Sequence, residues 1–121
     1  MTSPLVAIID DDEALCSSLV DLMRSIGHRA EPFASAESFL RSIAPSNSDC
    51  IIADVNMLGV DGFTLVKKLR EQSILTPVIL ITALPETYLD DEAISVGARC
   101  LFRKPFDINA LLDCVERSLS K

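Results

Sequence analysis

Short runs of consecutive apolar residues recur along the chain, and longer segments of mixed polarity lie between them. A strand whose neighbouring residues are all apolar is buried on both faces, as in a parallel sheet that is covered by helices. Five strands are predicted in this way, the second from a fainter run than the others, over residues 5–9, 30–34, 50–53, 78–81 and 100–102.

The segments between these runs show helical periodicity. The first carries apolar residues at positions 15, 19, 22, 23 and 26, and Gly27 after it suits a left-handed C-terminal cap. Asp107 is a candidate N-cap for a last helix with apolar positions 108, 111, 112, 115 and 119. Weaker patterns predict three further helices, over residues 35–43, 63–71 and 86–96.

Strands that alternate with helices predict an α/β fold. Because strand-helix-strand crossovers are right-handed, the expected architecture is a (βα)5 doubly wound, parallel five-stranded sheet with helices on both faces. With 121 residues, of which 49% are hydrophobic, the chain is long enough for one compact core. A single domain over residues 1–121 is therefore predicted.

Charge and cysteine content narrow the range of functions. The 11 basic and 18 acidic residues give a net charge of −7, which argues against direct binding of nucleic acid or of a membrane surface. No apolar run reaches the roughly 18 residues of a membrane-spanning helix.

The four cysteines show no C-x-x-C spacing and no secretory signal precedes them. A reduced, cytoplasmic protein is predicted, with the cysteines as small buried residues.

Chemically active residues follow four of the five predicted strands. Asp10 and Asp11 follow the first strand, Asp54 the third and Thr82 the fourth, and Lys104 comes shortly after the fifth. Ligands of doubly wound sheets bind beyond the carboxyl ends of the strands. Carboxylates, a hydroxyl group and an ammonium group are therefore expected to converge at this edge.

These residue types in this arrangement point to phosphoryl transfer. Clustered carboxylates repel one another in a partly desolvated pocket, and Mg²⁺ is the simplest way to keep them ionised. Beside Mg²⁺, the carboxylate of Asp54 is suited to attack phosphorus in line and to form an acyl phosphate. Lys104 and Thr82 are then expected to bind the phosphoryl oxygens. Asp12 and Glu13 are assigned instead to the first helical turn, where acidic side chains are favourable.

Four short motifs carry a family resemblance. They are Ile8-Ile9-Asp10-Asp11, Asp54 with Met57 and Asp61-Gly62, Thr82-Ala83, and Lys104-Pro105-Phe106. By these motifs the chain resembles, over essentially its whole length, the receiver domains of two-component response regulators. It is most similar to receivers of the nitrogen-fixation regulator type, whose output domain binds DNA through a helix-turn-helix. The resemblance implies the flavodoxin-like receiver fold with strand order 2-1-3-4-5.

The resemblance also implies roles for individual residues. Asp54 is the expected phosphoacceptor. Asp10 and Asp11 are the expected metal-binding acids, with Asp11 favoured as the direct ligand, and Asn56 would lend its backbone carbonyl to Mg²⁺. The Lys104-Pro105 bond is expected to be cis, as is usual in the family and tolerable only before proline.

Partners follow from the same resemblance. A sensor histidine kinase is the expected phosphoryl donor, and the change is expected to be read at the surface formed by residues 86–121. It would control a transcriptional output domain, another partner or a homodimer formed on phosphorylation. Both a stand-alone receiver and one separated from its output domain agree with the sequence. Such a domain catalyses only its own phosphorylation and dephosphorylation, so a regulator rather than an enzyme is predicted.

Two residues depart from the family pattern. Leu58 stands where proline is usual, with Gly59 next, which is either neutral or makes the loop more mobile. Leu101 stands where many members have Tyr or Phe, which predicts weaker or differently built coupling between Thr82 and the surface near the last strand. From the resemblance, Asn56 and Leu84, which lie two residues past Asp54 and Thr82, are expected to tune how fast water removes the phosphoryl group. Leu84 is apolar and cannot orient water, so a long-lived acyl phosphate is expected.

Two other functional classes share a doubly wound sheet. An aspartate-nucleophile phosphatase needs a second Asp two residues after its nucleophile, which Asp54-Val55-Asn56 lacks. Asp10-Asp11-Asp12 has that spacing, but Glu13-Ala14 follows it where Gly and a small residue are usual, and the chain has no cap insertion. A flavin-binding electron carrier needs a Ser/Thr/Gly-rich phosphate loop after the first strand, where this chain has acids.

Overall fold

The structure, a computed structural model, describes residues 3–120. Residues 1, 2 and 121 of the predicted domain, the last of which also belongs to the predicted output surface, lie outside the described residues. The described elements, in chain order, are β1 (Leu5–Ile9), α1 (Glu13–Ser25), β2 (Arg29–Phe33), α2 (Ala36–Leu40), α3 (Ala44–Asn47), β3 (Cys50–Asp54), α4 (Gly62–Glu71), β4 (Val78–Thr82), α5 (Tyr88–Val96), β5 (Cys100–Arg103) and α6 (Ile108–Leu119).

The strands form one parallel sheet in the order β2-β1-β3-β4-β5. This confirms the predicted doubly wound fold and its strand order. The register pairs Asp54 on β3 with Ile81 on β4, and Thr82 on β4 with Arg103 on β5. The carboxyl ends of the three strands therefore lie side by side.

Each face of the sheet carries its own apolar core. Alternate residues of a strand point to opposite faces, so Ile9 packs with the residues of α2, α4 and α5, whereas Ile8 packs with those of α1 and α6. In each of the strands β1, β3 and β4, all five residues are buried. Burial on both faces is the reason why these strands read as continuous apolar runs.

The first and last helices begin and end as predicted. Asp12 caps α1 by accepting a hydrogen bond from the Leu15 amide at 3.2 Å, and Glu13 lies in the first turn. Gly27 follows with φ of 95°. Asp107 caps α6 by accepting from the Asn109 amide at 2.8 Å. Local capping chemistry therefore sets these boundaries.

The predicted helix over residues 35–43 is wrong in its last three residues, 41–43. α2 ends at Leu40, and a separate short helix, α3, begins at Ala44 with Pro45 in its first turn. The Ser42 hydroxyl donates to the Phe39 carbonyl at 2.7 Å and accepts from the Ala44 amide at 3.0 Å. Because proline has no amide hydrogen and fits a first turn, the sequence starts a new helix there.

The cysteines only partly follow the prediction. Cys16 and Cys50 are free and buried, as expected of small apolar residues. Cys100 on β5 and Cys114 on α6 are instead joined as a disulfide, because the packing of α6 on the sheet brings together two residues that lie 14 apart. That spacing matches no disulfide or metal motif, so the sequence contained no signal for the pair.

Within residues 3–120, no helix combines the length and the apolar character that crossing a membrane requires.

Candidate functional site

The predicted site residues meet at the carboxyl edge of the sheet. The residues Asp10, Asp54 and Thr82 are almost fully buried, with 1%, 5% and 0% of their surface exposed, whereas Asp11 is exposed. Carboxylate oxygens of Asp10, Asp11 and Asp54 lie within 4.8 Å of one another. Three acids from two strand ends therefore share one small volume.

Asp10 lies at the end of β1, where the chain turns toward α1. Its backbone amide donates to the Phe33 carbonyl at 3.1 Å, and its Oδ1 accepts from the Asp12 amide at 2.9 Å. Burial raises the pKa of Asp10, and the negative charge of Asp54 raises it further, against the opposing effects of the Asp12 amide and Lys104. The environment of Asp10 thus favours a compensating positive charge.

Asp54 is the last residue of β3, and each of its two carboxylate oxygens accepts a hydrogen bond. Oδ1 accepts from the Asn56 amide at 2.8 Å, and Oδ2 accepts from Lys104 Nζ at 2.7 Å. Behind it, α4 approaches closely because Gly62 has no side chain. A Cβ at Gly62 would lie 2.8 Å from the Asp54 carbonyl oxygen and 2.9 Å from Val55 Cα.

Lys104 reaches the site from the end of β5. Its Nζ lies 3.5 Å from Asp10 Oδ2 as well as 2.7 Å from Asp54 Oδ2. Burial by itself lowers the pKa of the ammonium group, but the hydrogen bonds to the two carboxylates and their charges together outweigh burial, and the pKa is raised. The predicted cis bond between Lys104 and Pro105 is present.

Thr82 ends β4 between the strands that carry Asp54 and Lys104. Its Oγ1 accepts a hydrogen bond from the Leu84 amide at 3.1 Å, and its carbonyl oxygen accepts from the Lys104 amide at 2.7 Å. Leu84 itself packs against the core on the α4–α5 face. The hydroxyl group is therefore tied to the start of the β4–α5 loop.

The donor set suits a hard divalent cation. It consists of carboxylate oxygens, with no soft sulfur ligand and no histidine among the three clustered side chains, and oxygen ligands of this kind are those that Mg²⁺ and Ca²⁺ prefer. One ammonium group, that of Lys104, contacts two of the three acids, so the cluster retains an excess of negative charge that a cation would offset. Asp10, Asp11 and Asp54 could thus hold a metal ion.

The positions that depart from the family pattern have well-defined surroundings. Leu58 is 89% exposed. Leu101 packs against the core on the α4–α5 face and Phe102 against the opposite one, as strand alternation predicts. Arg103, next along β5, donates to both carboxylate oxygens of Asp90, at 3.2 and 3.0 Å, and to the Glu86 carbonyl at 2.6 Å.

Two contacts near the site were not predicted from the sequence. One is the fork of Arg103 on Asp90 and Glu86 described above. The other is a hydrogen bond from the Val60 amide to Glu37 Oε2 at 3.2 Å. Both join residues far apart in the chain. The separation is 13 and 17 positions for the two partners of Arg103 and 23 positions for Glu37 and Val60, and none of these spacings corresponds to a motif.

Comparison with known proteins identifies a family for the chain. A family described as the response regulator receiver domain matches residues 6–116. The transcriptional regulatory protein FixJ of Azorhizobium caulinodans is 36% identical over 116 residues, which are 96% of this chain and 55% of that protein. The response regulator protein TmoT of Ectopseudomonas mendocina is 35% identical over 115 residues, 95% of this chain and 52% of TmoT. The chain thus spans about half the length of these curated relatives.

Solved structures give the same result for the fold. Chemotaxis protein CheY4 of Vibrio cholerae superposes with a TM-score of 0.88 at 29% identity, covering 98% of this chain and 100% of that one. The crystal structure of FixJ-N superposes with a TM-score of 0.87 at 30% identity, covering 98% of this chain and 95% of that one.

Proposed function

This chain belongs to the response regulator receiver domain family, and from that premise we propose that Asp54 accepts a phosphoryl group with the help of Mg²⁺, Lys104 and Thr82. The observation that supports the proposal most directly is the convergence on Asp54. A buried carboxylate lies within 4.8 Å of two other acids and 2.7 Å from an ammonium group. This is the set of groups that phosphoryl transfer to a carboxylate requires.

Each side chain has a defined task in the proposed reaction. A carboxylate oxygen of Asp54 attacks phosphorus, the new O–P bond forms, and the bond between phosphorus and the donor atom breaks. Lys104 then donates to a phosphoryl oxygen in place of Asp54 Oδ2, and the Thr82 hydroxyl donates to another. Because the backbone amide of Asn56 fixes Asp54 Oδ1, the carboxylate is oriented before the donor arrives.

The metal would be held at the same edge. Asp10, Asp11 and Asp54 would supply carboxylate oxygens, and Asn56 would supply its backbone carbonyl. Mg²⁺, when bound, would neutralise charge that develops on the transferring phosphoryl oxygens. The acids alone would repel a phosphoryl donor, so their function depends on this neutralisation.

The partners of the domain are proposed from its family. A sensor histidine kinase would supply the phosphoryl group, and residues 86–120 would transmit the change to an output domain or to a second copy of the chain. The relative FixJ is named as a transcriptional regulatory protein, which supports a transcriptional output. Membership of the receiver family supports a location in the cytoplasm. The domain itself, with its net charge of −7, would not bind DNA, and it would act as a regulator that modifies only itself.

Intact-mass spectrometry after incubation with acetyl phosphate tests the proposal. Wild type should gain one phosphoryl group with Mg²⁺ and none without it, and Asp54→Ala should gain none. The Asp113→Ala variant, which removes an exposed acid on α6, is the matched control and should be modified like wild type. An unmodified wild type in the presence of Mg²⁺ would refute the proposal, and hydrolysis of a generic phosphate ester would favour a phosphatase.

A further inference from the structure

Glu37 reaches from α2 to the loop that follows the proposed phosphoacceptor. Its Oε2 accepts a hydrogen bond from the Val60 backbone amide at 3.2 Å. Glu37 belongs to α2, whereas Val60 lies just before α4. The loop, residues 55–61, connects β3 to α4 and contains Asn56 and Leu58. A side chain of α2 therefore contacts the segment that leads away from Asp54.

Gly59 leaves room for the Glu37 carboxylate because it has no side chain. Its φ of 80° places it in the left-handed region, and a Cβ there would collide with Glu37 Oε2. Any side chain at position 59 would thus displace the carboxylate as well as strain the backbone. The hydrogen bond to Val60 and the open space at Gly59 are separate observations, and both place the Glu37 carboxylate directly on the loop.

No other polar partner explains where the Glu37 side chain lies. Among residues 3–120 it forms no salt bridge, and Val60 provides its single side-chain hydrogen bond. Its second oxygen, Oε1, is buried without a hydrogen-bonding partner in the described part of the chain. Glutamate side chains usually remain in water unless they are paired. The contact with the loop therefore accounts for the half-buried position of the Glu37 side chain.

We propose that Glu37 is a positioning residue, which holds loop 55–61 in the conformation that presents the Asn56 carbonyl to the metal. Leu58 and Gly59 would leave this loop free to move, and the carboxylate from α2 restrains it instead. Restraint before binding lowers the entropic cost of ordering the loop around the metal. The part of the proposal that concerns the metal rests on the function proposed above, whereas the restraint itself does not.

Two conservative variants of Glu37 distinguish the effect of its side-chain length from the effect of its negative charge. Glu37→Asp keeps the charge but shortens the side chain by one methylene group, so the carboxylate no longer reaches Val60. Glu37→Gln keeps the reach and an acceptor oxygen but removes the charge. Glu31→Gln, at an exposed glutamate on β2, removes a charge without touching the loop and is the matched control.

The first measurement is amide hydrogen exchange at Val60 without metal or phosphoryl donor. Loss of the hydrogen bond in Glu37→Asp should accelerate exchange at least roughly tenfold, whereas Glu37→Gln should stay within about threefold of wild type, since a neutral acceptor is weaker but present. Unchanged exchange in Glu37→Asp, or faster exchange in Glu37→Gln than in Glu37→Asp, overturns the proposal. Neither outcome depends on whether Asp54 is phosphorylated.

The second measurement is the Kd for Mg²⁺, from backbone amide shifts during titration with MgCl2. Glu37→Asp should raise the Kd by roughly threefold or more, while Glu37→Gln and Glu31→Gln should remain near wild type. If both glutamine variants raise the Kd equally, the effect is one of net charge and the positioning role is refuted. Faster exchange at Val60 with an unchanged Kd would refute it too. Wild type that binds no Mg²⁺ would overturn the proposed function and leave the exchange result to decide on the restraint.

Discussion

Lys104 Nζ lies 2.7 Å from Asp54 Oδ2, although 50 residues separate the two in the chain. The order of strands β3, β4 and β5 brings them together, since both residues follow or end strands whose carboxyl ends lie at one edge. The ammonium group therefore already occupies the side of the carboxylate where we propose that a phosphoryl oxygen will bind. Its charge offsets part of the repulsion among the acids before any donor arrives.

Replacing Lys104 with alanine should slow phosphorylation without unfolding the protein. Removal of a single preorganised donor from a transition state costs on the order of a hundredfold to a thousandfold in rate. Lys67→Ala, at an exposed position on α4, is the control and should react like wild type. The rate of mass increase with acetyl phosphate measures the effect. A Lys104→Ala rate within about threefold of wild type would exclude the assigned role.

Mg²⁺ should stabilise the folded protein, because the buried carboxylates of Asp10 and Asp54 repel each other without it. At ten times its Kd, a ligand that binds only the folded state adds about 1.4 kcal/mol to the free energy of unfolding. Thermal unfolding should show a Tm higher by roughly 4–8 °C. Asp10→Asn removes one buried charge, so it should be more stable than wild type without Mg²⁺ and gain less from its addition. An equal gain in both proteins would contradict a metal site at Asp10.

The strands and the site could be predicted because their signals are local. Buried parallel strands appear in the sequence as continuous apolar runs, and the residues that follow them lie at one edge of the sheet. Asp10, Asp54, Thr82 and Lys104 therefore converge as expected, and their distances and burial add what the sequence could not supply. The edge strand β2 gave the faintest signal because Arg29, Glu31 and Pro32 are exposed.

Most of the unpredicted features depend on contacts between distant elements. Cys100 and Cys114 meet only because α6 packs beside β5. Glu37 reads as an ordinary acid in a first helical turn, and only the folded chain shows that it lies over Gly59. The break between α2 and α3 is the exception, because Pro45 was visible in the sequence and indicates a helix start.

Leu84 should make the acyl phosphate long-lived. Its side chain packs against the core on the α4–α5 face and provides no hydrogen bond to water. A glutamate there could position and activate water, and a general base typically contributes about 10²-fold or more to a rate. We expect the Leu84→Glu variant to lose its phosphoryl group at least several-fold faster. Decay is followed by intact mass after removal of the donor, with Leu84→Met as the control. Equal decay in all three proteins would show that position 84 has no influence.

Arg103 should carry the change at Thr82 to α5 in place of an aromatic residue at position 101. Its guanidinium group joins β5 to the Glu86 carbonyl and to Asp90, so a shift of the β4–α5 loop must alter these bonds. Phosphorylation should therefore change the backbone chemical shifts of residues 90–96 in wild type. Arg103→Ala should lose most of this response, whereas Leu101→Val should keep it. Small shifts in wild type would instead indicate that phosphorylation is not coupled to α5.

Cys50 should make the protein sensitive to alkaline pH. Its thiol is fully buried on β3, and burial raises its pKa from 9.0 to about 12. Between these values the unfolded chain loses the proton while the folded chain keeps it, so the free energy of unfolding falls as pH rises. At pH 10 this single group should cost about 1 kcal/mol relative to pH 7.

The Cys50→Ala variant isolates this contribution. Alanine does not titrate, so the difference in free energy of unfolding between wild type and Cys50→Ala should shift by about 1 kcal/mol toward the variant from pH 7 to pH 10. Urea unfolding at both pH values, under conditions that keep free thiols reduced, measures it. The folded protein should also resist alkylation of Cys50 at pH 8, because only about one thiol in 10⁴ is then a thiolate. A difference independent of pH, together with rapid alkylation of native Cys50, would mean that this residue becomes accessible far more often than its burial implies.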